Sequence, residues 1–240
     1  MATDRRDFLG ALMAMGIAGK GEHTGKGETM GKGERGTTSP GFPPSPSLPP
    51  SPVEALPWLA KIRGTHRAVF DNPRDDGTGL IRAWIWLNQC QSLLGAAADD
   101  CTAVVVLRHG AVTLAMNDAF WAQYELSLSG STAEKPNIPK RNPQMAAAMV
   151  DSMGMFPAPA KTFAQGLGLD TLIARGGIVL ACEFAFWGVT QRVLNRDKST
   201  EAEARDKALA HLVQGVSLVP SGFLALAVAQ QHGCSFVTNA

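Results

Sequence analysis

CTAVVVL, residues 101–107, is the stretch of sequence that decides the fold. It is a continuous apolar, β-branched run, bounded by two aspartates before it and by Arg-His-Gly after it. A strand with one face in water alternates apolar and polar residues, whereas a strand covered on both faces of a parallel sheet is apolar throughout. The run therefore predicts a central strand of a sheet that carries helices on both sides.

The segments on either side of this run alternate between strand-like and helix-like patterns. Further strands are predicted at 65–71, 178–182, 216–219 and 235–237, and helices at 80–94, 117–126, 163–174, 187–194, 201–212 and 221–232, with a long proline-broken insertion at 137–159. Such alternation is typical of parallel strands joined by crossover helices. We expect a three-layer α/β/α sandwich with a mainly parallel sheet of about five strands.

Composition divides the 240-residue chain into three parts. Residues 1–18 carry an Arg-Arg pair, a nearby Phe-Leu pair and a short apolar run, which predicts a twin-arginine signal peptide. Residues 19–56 contain three hexads that each begin Gly-Lys-Gly-Glu, followed by a Pro/Ser-rich stretch, and this pattern predicts a disordered linker. Residues 57–240 have the composition of one globular domain.

The leader and the charge balance limit the location and the partners of the protein. The twin-arginine translocase exports proteins that have already folded, so we expect a periplasmic or extracellular location, where disulfides persist. The formal net charge of +1 provides no basic surplus for binding nucleic acid. No apolar run has the length of a spanning helix, and we therefore expect no stable membrane insertion.

Polar or reactive residues follow three of the predicted strands. Asp71 ends the first strand, and Arg108 and His109 follow the second. Cys182 ends the third strand and is followed by Glu183. Because the carboxyl ends of parallel strands meet at one edge, where α/β proteins bind ligands, Cys182 and His109 are the candidate catalytic residues. The sequence contains no zinc-type spacing and no phosphate-binding loop, so it predicts neither a metal nor a cofactor.

Both candidate residues have a structural alternative. A cysteine between a strand and a helix is favoured as a thiolate by the helix dipole, but a buried free cysteine usually packs as a small hydrophobic side chain. The roles open to His109 are those of a base, a proton relay or a ligand, or of a structural cap at the sheet edge. Glu183 bears on the choice for Cys182. A carboxylate turned toward the sulfur disfavours the thiolate, whereas one paired with a basic group leaves it available.

The remaining sulfur-containing residues allow two interpretations each. Cys90, Cys101 and Cys234 complete an even count of four cysteines. A disulfide between Cys90, late in a helix, and Cys101, at the start of the next strand, is geometrically feasible, and burial of all three as core residues is the alternative. Methionines at 145, 149, 153 and 155 have near-helical spacing, which favours gap filling or partner contact over Cu(I) binding.

Four segments, taken in order, carry a resemblance to a known family: HRAVFDNP (66–73), AVVVLRHGAV (103–112), LIARGGIVLACEFA (172–185) and LVQGVSLVPSGFLALAVAQQHGCSFV (212–237). Over roughly residues 60–238 the chain resembles the DsrE/DsrF-like family, specifically its exported members with a twin-arginine leader. The resemblance implies a small α/β sandwich that assembles into homo-oligomers. It also implies that Cys182 matches the strand-end cysteine on which sulfur-trafficking members carry a persulfide between a sulfur donor and an acceptor protein.

Two functions from different classes follow. The first is an exported carrier of reduced sulfur that acts through a persulfide on Cys182 and requires no metal. The alternative is a non-catalytic, oligomeric periplasmic protein that binds a small ligand or serves as a scaffold, with Cys182 packed. Many members of the family have no known activity, and the resemblance alone does not choose between the two.

Overall fold

The computed structural model describes residues 56–238, so the predicted signal peptide (1–18) and residues 19–55 of the predicted linker lie outside the described part. The strands are β1 (His66–Asn72), β2 (Cys101–Leu107), β3 (Ile178–Cys182), β4 (Val216–Val219) and β5 (Ser235–Val237). The α-helices are α1 (Thr78–Leu93), α2 (Asp118–Tyr124), α3 (Ala146–Ser152), α4 (Ala158–Gly166), α5 (Leu169–Ala174), α6 (Glu183–Asp197), α7 (Glu201–Ala210) and α8 (Gly222–Gln231). Short 3-10 helices cover Leu59–Lys61, Ala98–Asp100 and His109–Ala115. In this range no helix combines the length and the apolar character needed to cross a membrane.

The five strands form one sheet in the order β4-β3-β2-β1-β5, and every neighbouring pair is parallel. β2 is the central strand and pairs with β1 along its whole length, from His66↔Cys101 to Asn72↔Leu107. Helices cover both faces of the sheet. The predicted three-layer α/β/α sandwich is confirmed, and the sheet is parallel throughout.

The central strand contributes to two separate apolar cores. Val105 and Leu107 pack on the first face of the sheet, with side chains from α1, α2, α5, α6 and α7. Val104 and Val106 pack on the second face, with α8 and with Trp58 from the segment before β1. All four β2 side chains are fully buried. The absence of polar alternation in CTAVVVL is explained by these two cores.

The direction of the connections explains why α8 lies on the second face. The steps from β1 to β4 move across the sheet in one direction, and their helices pack on the first face. The return from β4 to β5 runs in the opposite direction, to the far edge. Because crossover connections are right-handed, a reversal of direction moves the connecting helix to the other face. α8 accordingly covers β1, β2 and β3 from the second side.

Helix boundaries differ from the sequence prediction in the second half of the chain. The helix predicted at 163–174 is two helices, α4 and α5. The chain turns between them at Gly168, which lies so close to Ala146 that an added Cβ would stand 2.6 Å from its backbone atoms. The helix predicted at 187–194 begins at Glu183, directly after β3. The proline-broken insertion contains α3.

Burial of β2 on both faces leads to a stability prediction. Val104→Ala and Val105→Ala should each lower the free energy of unfolding by about 2 kcal/mol, because each removes two buried carbons and leaves a cavity, but on opposite faces. Leu93→Ala, at a side chain that is 66% exposed, should change it by less than about 0.5 kcal/mol. Urea denaturation followed by circular dichroism measures all three variants. A loss in only one of the two valine variants would contradict the two-sided burial.

Candidate functional site

The carboxyl ends of β3 and β4 form the topological switch point of the sheet. The chain leaves β3 toward the first face as α6, and it leaves the neighbouring β4 toward the second face as α8. Where adjacent strands diverge in this way, a crevice opens beyond their ends, and open α/β sheets bind ligands there. Cys182 is the last residue of β3 and pairs with Val219, the last residue of β4. The cysteine therefore lies at the position that the topology favours for a ligand.

Two helix N-termini converge on Cys182. The residue is itself the N-cap of α6, and its side chain makes no capping hydrogen bond. The other neighbour is Gly222, the first residue of α8, where an added Cβ would stand 3.3 Å from the Cβ of Cys182. The first N–H groups of a helix have no partner within the helix and carry partial positive charge. Cys182, which is 6% exposed, thus lies beside the backbone N–H groups at the starts of two helices.

Arg108 lies on the same side of the site, and its guanidinium is held in an ion pair with Asp71. A Cβ at Gly222 would stand 3.1 Å from the Cβ of Arg108, so the arginine borders the same glycine as the cysteine. Its Nε and Nη2 donate to the two carboxylate oxygens of Asp71, both at 2.6 Å. The side chains of this pair are 16% and 8% exposed, and a bidentate pair with so little solvent holds its geometry. Arg108 also lies 4.8 Å from the ring centre of Phe223.

His109 lies at the same edge of the sheet, directly after Arg108. Its backbone has φ of +50°, the left-handed region, which few residues other than glycine adopt. The exposed imidazole packs edge-on against Phe223, with 5.8 Å between the ring centres. The two predicted residues therefore do lie at one edge of the sheet. His109 contacts the site only at the ring of Phe223, whereas Arg108 borders Gly222.

Glu183 is paired with a basic group. Its Oε1 accepts a hydrogen bond from Nη2 of Arg205, on α7, and the two groups form an ion pair. Both side chains are partly exposed. The carboxylate is therefore paired with a basic group and not turned toward the sulfur, which is the arrangement that leaves the Cys182 thiol available.

The other sulfur-containing residues lie away from this site. All four cysteines are free, and Cys90, at the end of α1, and Cys101, at the start of β2, lie at the opposite end of the sheet from Cys182. Only Met149 of the four methionines lies inside α3, and Met155 lies beyond its end and is fully exposed, so the four do not form one stripe. Among the His, Cys, Asp and Glu side chains of residues 56–238, no group of three or more could hold a metal ion.

The residues that sequence reasoning missed as site residues come mainly from the start of α8. Ser221 caps this helix by accepting from the backbone N–H of Leu224 at 3.5 Å, and it thereby places Gly222 and Phe223 over the cysteine and the arginine. The signal was present in the sequence as Val-Pro-Ser-Gly directly after a predicted strand. A small capping residue and a glycine at a strand-to-helix turn are typical of a helix N-terminus that approaches a site closely.

A cavity of about 660 Å³ lies near the beginnings of β3 and β4, away from Cys182. Its lining is mainly apolar and includes Ile173 and Leu212, with Asp170 and Gln214 as polar groups. The volume is within the usual range of small-molecule sites, roughly 300–1,000 Å³.

The fold and the site together define a class of protein: an all-parallel α/β sandwich with one cysteine at its topological switch point. No protein-family model and no curated protein matches the chain. Its function is therefore argued from the residues of the site.

Two glycines allow a matched test of the site's packing. Gly222→Ala should destabilise the protein by about 1–3 kcal/mol, since its Cβ is forced against Arg108 and Cys182. Gly188→Ala, in the interior of α6 with no atom within 4 Å of its added Cβ, should stabilise it by about 0.5–1 kcal/mol through helix propensity. Urea unfolding of both variants gives the signs, and effects of the same sign would contradict the described contact.

Proposed function

We propose that the chain is an exported DsrE-like protein that carries sulfane sulfur as a persulfide on Cys182. The observation that supports this most strongly is the position of Cys182 at the switch point, between two helix N-termini and beside the glycine that Arg108 also borders. A sulfur that accepts and donates a sulfur atom must be available as an anion, and helix N-termini and nearby cations stabilise thiolates.

The transfer needs two exchanges at the same atom. The Cys182 thiolate attacks the outer sulfur of a donor persulfide, a new S–S bond forms on Cys182, and the donor leaves as a thiolate. The thiolate of an acceptor protein then attacks the outer sulfur on Cys182, takes it as its own persulfide, and releases the Cys182 thiolate. No net oxidation occurs, because one sulfur atom passes with its proton from donor to acceptor while the negative charge of the thiolate passes from acceptor to donor.

Three features of the site serve these steps. The ion pair with Asp71 keeps Arg108 in place while the charge on sulfur persists from one exchange to the next. Glu183 follows Cys182 directly in the sequence, and its carboxylate is held in an ion pair with Arg205. The thiol is mostly buried, which limits access by solvent and requires a donor to dock closely.

Exposed apolar side chains at the same edge support docking of a sulfur donor, an acceptor or another copy of the chain as part of this proposal. The first turns of α6 and α8 expose large apolar side chains, which on a soluble protein mark contact regions. These are Phe184, Trp187, Phe223 and Leu224, all more than half exposed. The homo-oligomer and the donor and acceptor proteins remain part of this proposal.

Passage through the twin-arginine translocase, and hence a periplasmic or extracellular location, also belongs to the proposal. Its support is the order of the Arg-Arg pair, the Phe-Leu pair and the short apolar run in residues 1–18.

The second candidate function is non-catalytic binding of a small ligand. The cavity near the beginnings of β3 and β4 favours it, because its volume suits a small molecule and its lining combines apolar walls with the Asp170 carboxylate. This function does not involve Cys182.

Mass spectrometry of the full chain tests the sulfur carrier. After incubation with a polysulfide donor and removal of excess, the peptide that contains Cys182 should gain the mass of one sulfur atom, because this thiol is the one poised to accept it. Adding a nucleophile that accepts sulfane sulfur, such as cyanide or reduced glutathione, should remove the gain. Arg108→Met should reduce the labelled fraction, since the fixed cation is lost.

Cys234→Ala is the matched control, since it also removes a buried cysteine but at the opposite end of the sheet. It should retain the sulfur gain, and Cys182→Ala should lose it. An unlabelled Cys182 in the folded wild-type protein would overturn the carrier. A small molecule that copurifies with that unlabelled protein would instead support the ligand-binding function.

The leader makes a separate prediction. A reporter fused behind residues 1–55 should be exported through the twin-arginine translocase, and a double replacement Arg5→Lys and Arg6→Lys should abolish export, because the translocase reads the arginine pair. Cell fractionation measures the distribution. Undiminished export of the double-lysine leader would remove the twin-arginine assignment and leave the chemistry of Cys182 untouched.

A further inference from the structure

The cavity of about 660 Å³ near the beginnings of β3 and β4 contains one carboxylate in a mainly apolar wall. Asp170, on the first turn of α5, supplies that carboxylate. Met145, Ile173 and Leu212 provide apolar surface, and Gln214 adds a neutral amide. Of the described residues that line the cavity, none is Lys, Arg or His. The lining therefore carries negative charge without any positive charge to balance it.

The hydrogen bonding of Asp170 uses only part of its carboxylate. Oδ1 accepts from the backbone N–H of Ala146, the first residue of α3, at 2.8 Å. Within residues 56–238 no basic side chain forms an ion pair with Asp170, and no second donor reaches its carboxylate. Capping a helix N-terminus requires one acceptor oxygen, which asparagine supplies as well as aspartate. The bond to Ala146 therefore explains one oxygen of Asp170 and does not explain its charge.

The start of α5 offsets this charge only in part. A helix N-terminus carries about half of a positive elementary charge at most, and Asp170 lies within the first turn of α5. The remaining charge faces a cavity whose other lining groups are apolar or neutral. A bound cation is the partner that this arrangement lacks within the described residues.

Backbone hydrogen bonds hold the segments that form the cavity. Leu169 donates its N–H to the carbonyl oxygen of Gln144 at 2.7 Å, which ties the start of α5 to the segment before α3. In the segment before β4, Val213 donates to the carbonyl oxygen of Ala115 at 2.8 Å. The cavity is therefore formed before a ligand enters, as is usual for small-molecule sites.

We propose that this cavity binds a small organic cation, an amine with a compact apolar body, whose ammonium group pairs with Asp170. An ammonium donates charge-assisted hydrogen bonds to a carboxylate. A neutral molecule of the same shape removes water from the carboxylate without replacing that interaction, and an anionic one adds repulsion between like charges. The inference rests on the second candidate function, small-ligand binding, and is independent of sulfur transfer at Cys182.

Three probes that share one ring and differ in charge test the ligand class. They are benzylammonium, benzyl alcohol and benzoate, and saturation-transfer NMR titrations with the full chain give their dissociation constants. The wild-type protein should bind benzylammonium about fivefold more tightly than benzyl alcohol, which is the ratio expected for a partly exposed ion pair. Benzoate should show no binding, because its charge has the same sign as that of Asp170.

Three variants locate the interaction. Asp170→Asn keeps the acceptor for Ala146 and removes the charge, so it should weaken benzylammonium about fivefold and leave benzyl alcohol unchanged. Asp206→Asn is the matched control, since it removes a carboxylate from an exposed position on α7 that does not line the cavity, and it should change neither affinity. Ala174→Phe, at an exposed lining residue, should fill the space and weaken both probes.

The outcomes distinguish this inference from the function on which it rests. Equal affinities of the wild-type protein for benzylammonium and benzyl alcohol, or an unchanged benzylammonium affinity in Asp170→Asn, would overturn the cation. Small-ligand binding would then survive if Ala174→Phe still weakened benzyl alcohol. Absence of binding by all three probes, or binding that Ala174→Phe leaves unchanged, would reject the cavity as a ligand site and the cation with it. Should Asp170→Asn fail to fold, the order of the three probes on the wild-type chain still decides.

Discussion

Burial of the central strand on both faces is the constraint from which the rest of the structure follows. A strand with Val104 and Val106 on one side and Val105 and Leu107 on the other cannot lie against water on either face. Helices must therefore cover both sides, and right-handed connections allow this only if the chain reverses direction across the sheet once. That reversal occurs after β4, and it places the switch point beside the end of β3. The candidate site is thus a consequence of how the hydrophobic core is covered.

The charges around Cys182 have unequal strength. A helix N-terminus stabilises a nearby anion by roughly 0.3–1 kcal/mol at an exposed position and by up to about 2 kcal/mol when partly buried, and two of them meet here. Arg108 adds a positive charge that is costly to displace, because breaking a buried ion pair costs about 3–5 kcal/mol and its partner Asp71 is only 8% exposed. The charges nearest Cys182 are thus set by the backbone of two helices and by one buried ion pair.

The sequence determined the fold class and the edge of the sheet on which the site lies, since both depend on apolar periodicity and on strand direction. It did not determine which side chains meet. Arg108 and His109 are adjacent in sequence, yet the start of α8 places the first beside Gly222 and the second on the outer side of Phe223. The partner of Glu183 comes from another helix, and the break before α5 depends on a contact with Ala146. Such contacts join residues distant in sequence, and no local pattern encodes them.

The four cysteines are divided unequally between the two ends of the sheet. Cys90, Cys101 and Cys234 lie at the amino-terminal edge, and Cys182 alone lies at the carboxyl edge. At about 3.3 Å per residue, the seven residues of β2 separate the edges by roughly 20 Å, which is far beyond disulfide range. Cys182 therefore has no intramolecular thiol within disulfide range, and only a thiol of another molecule can exchange sulfur with it.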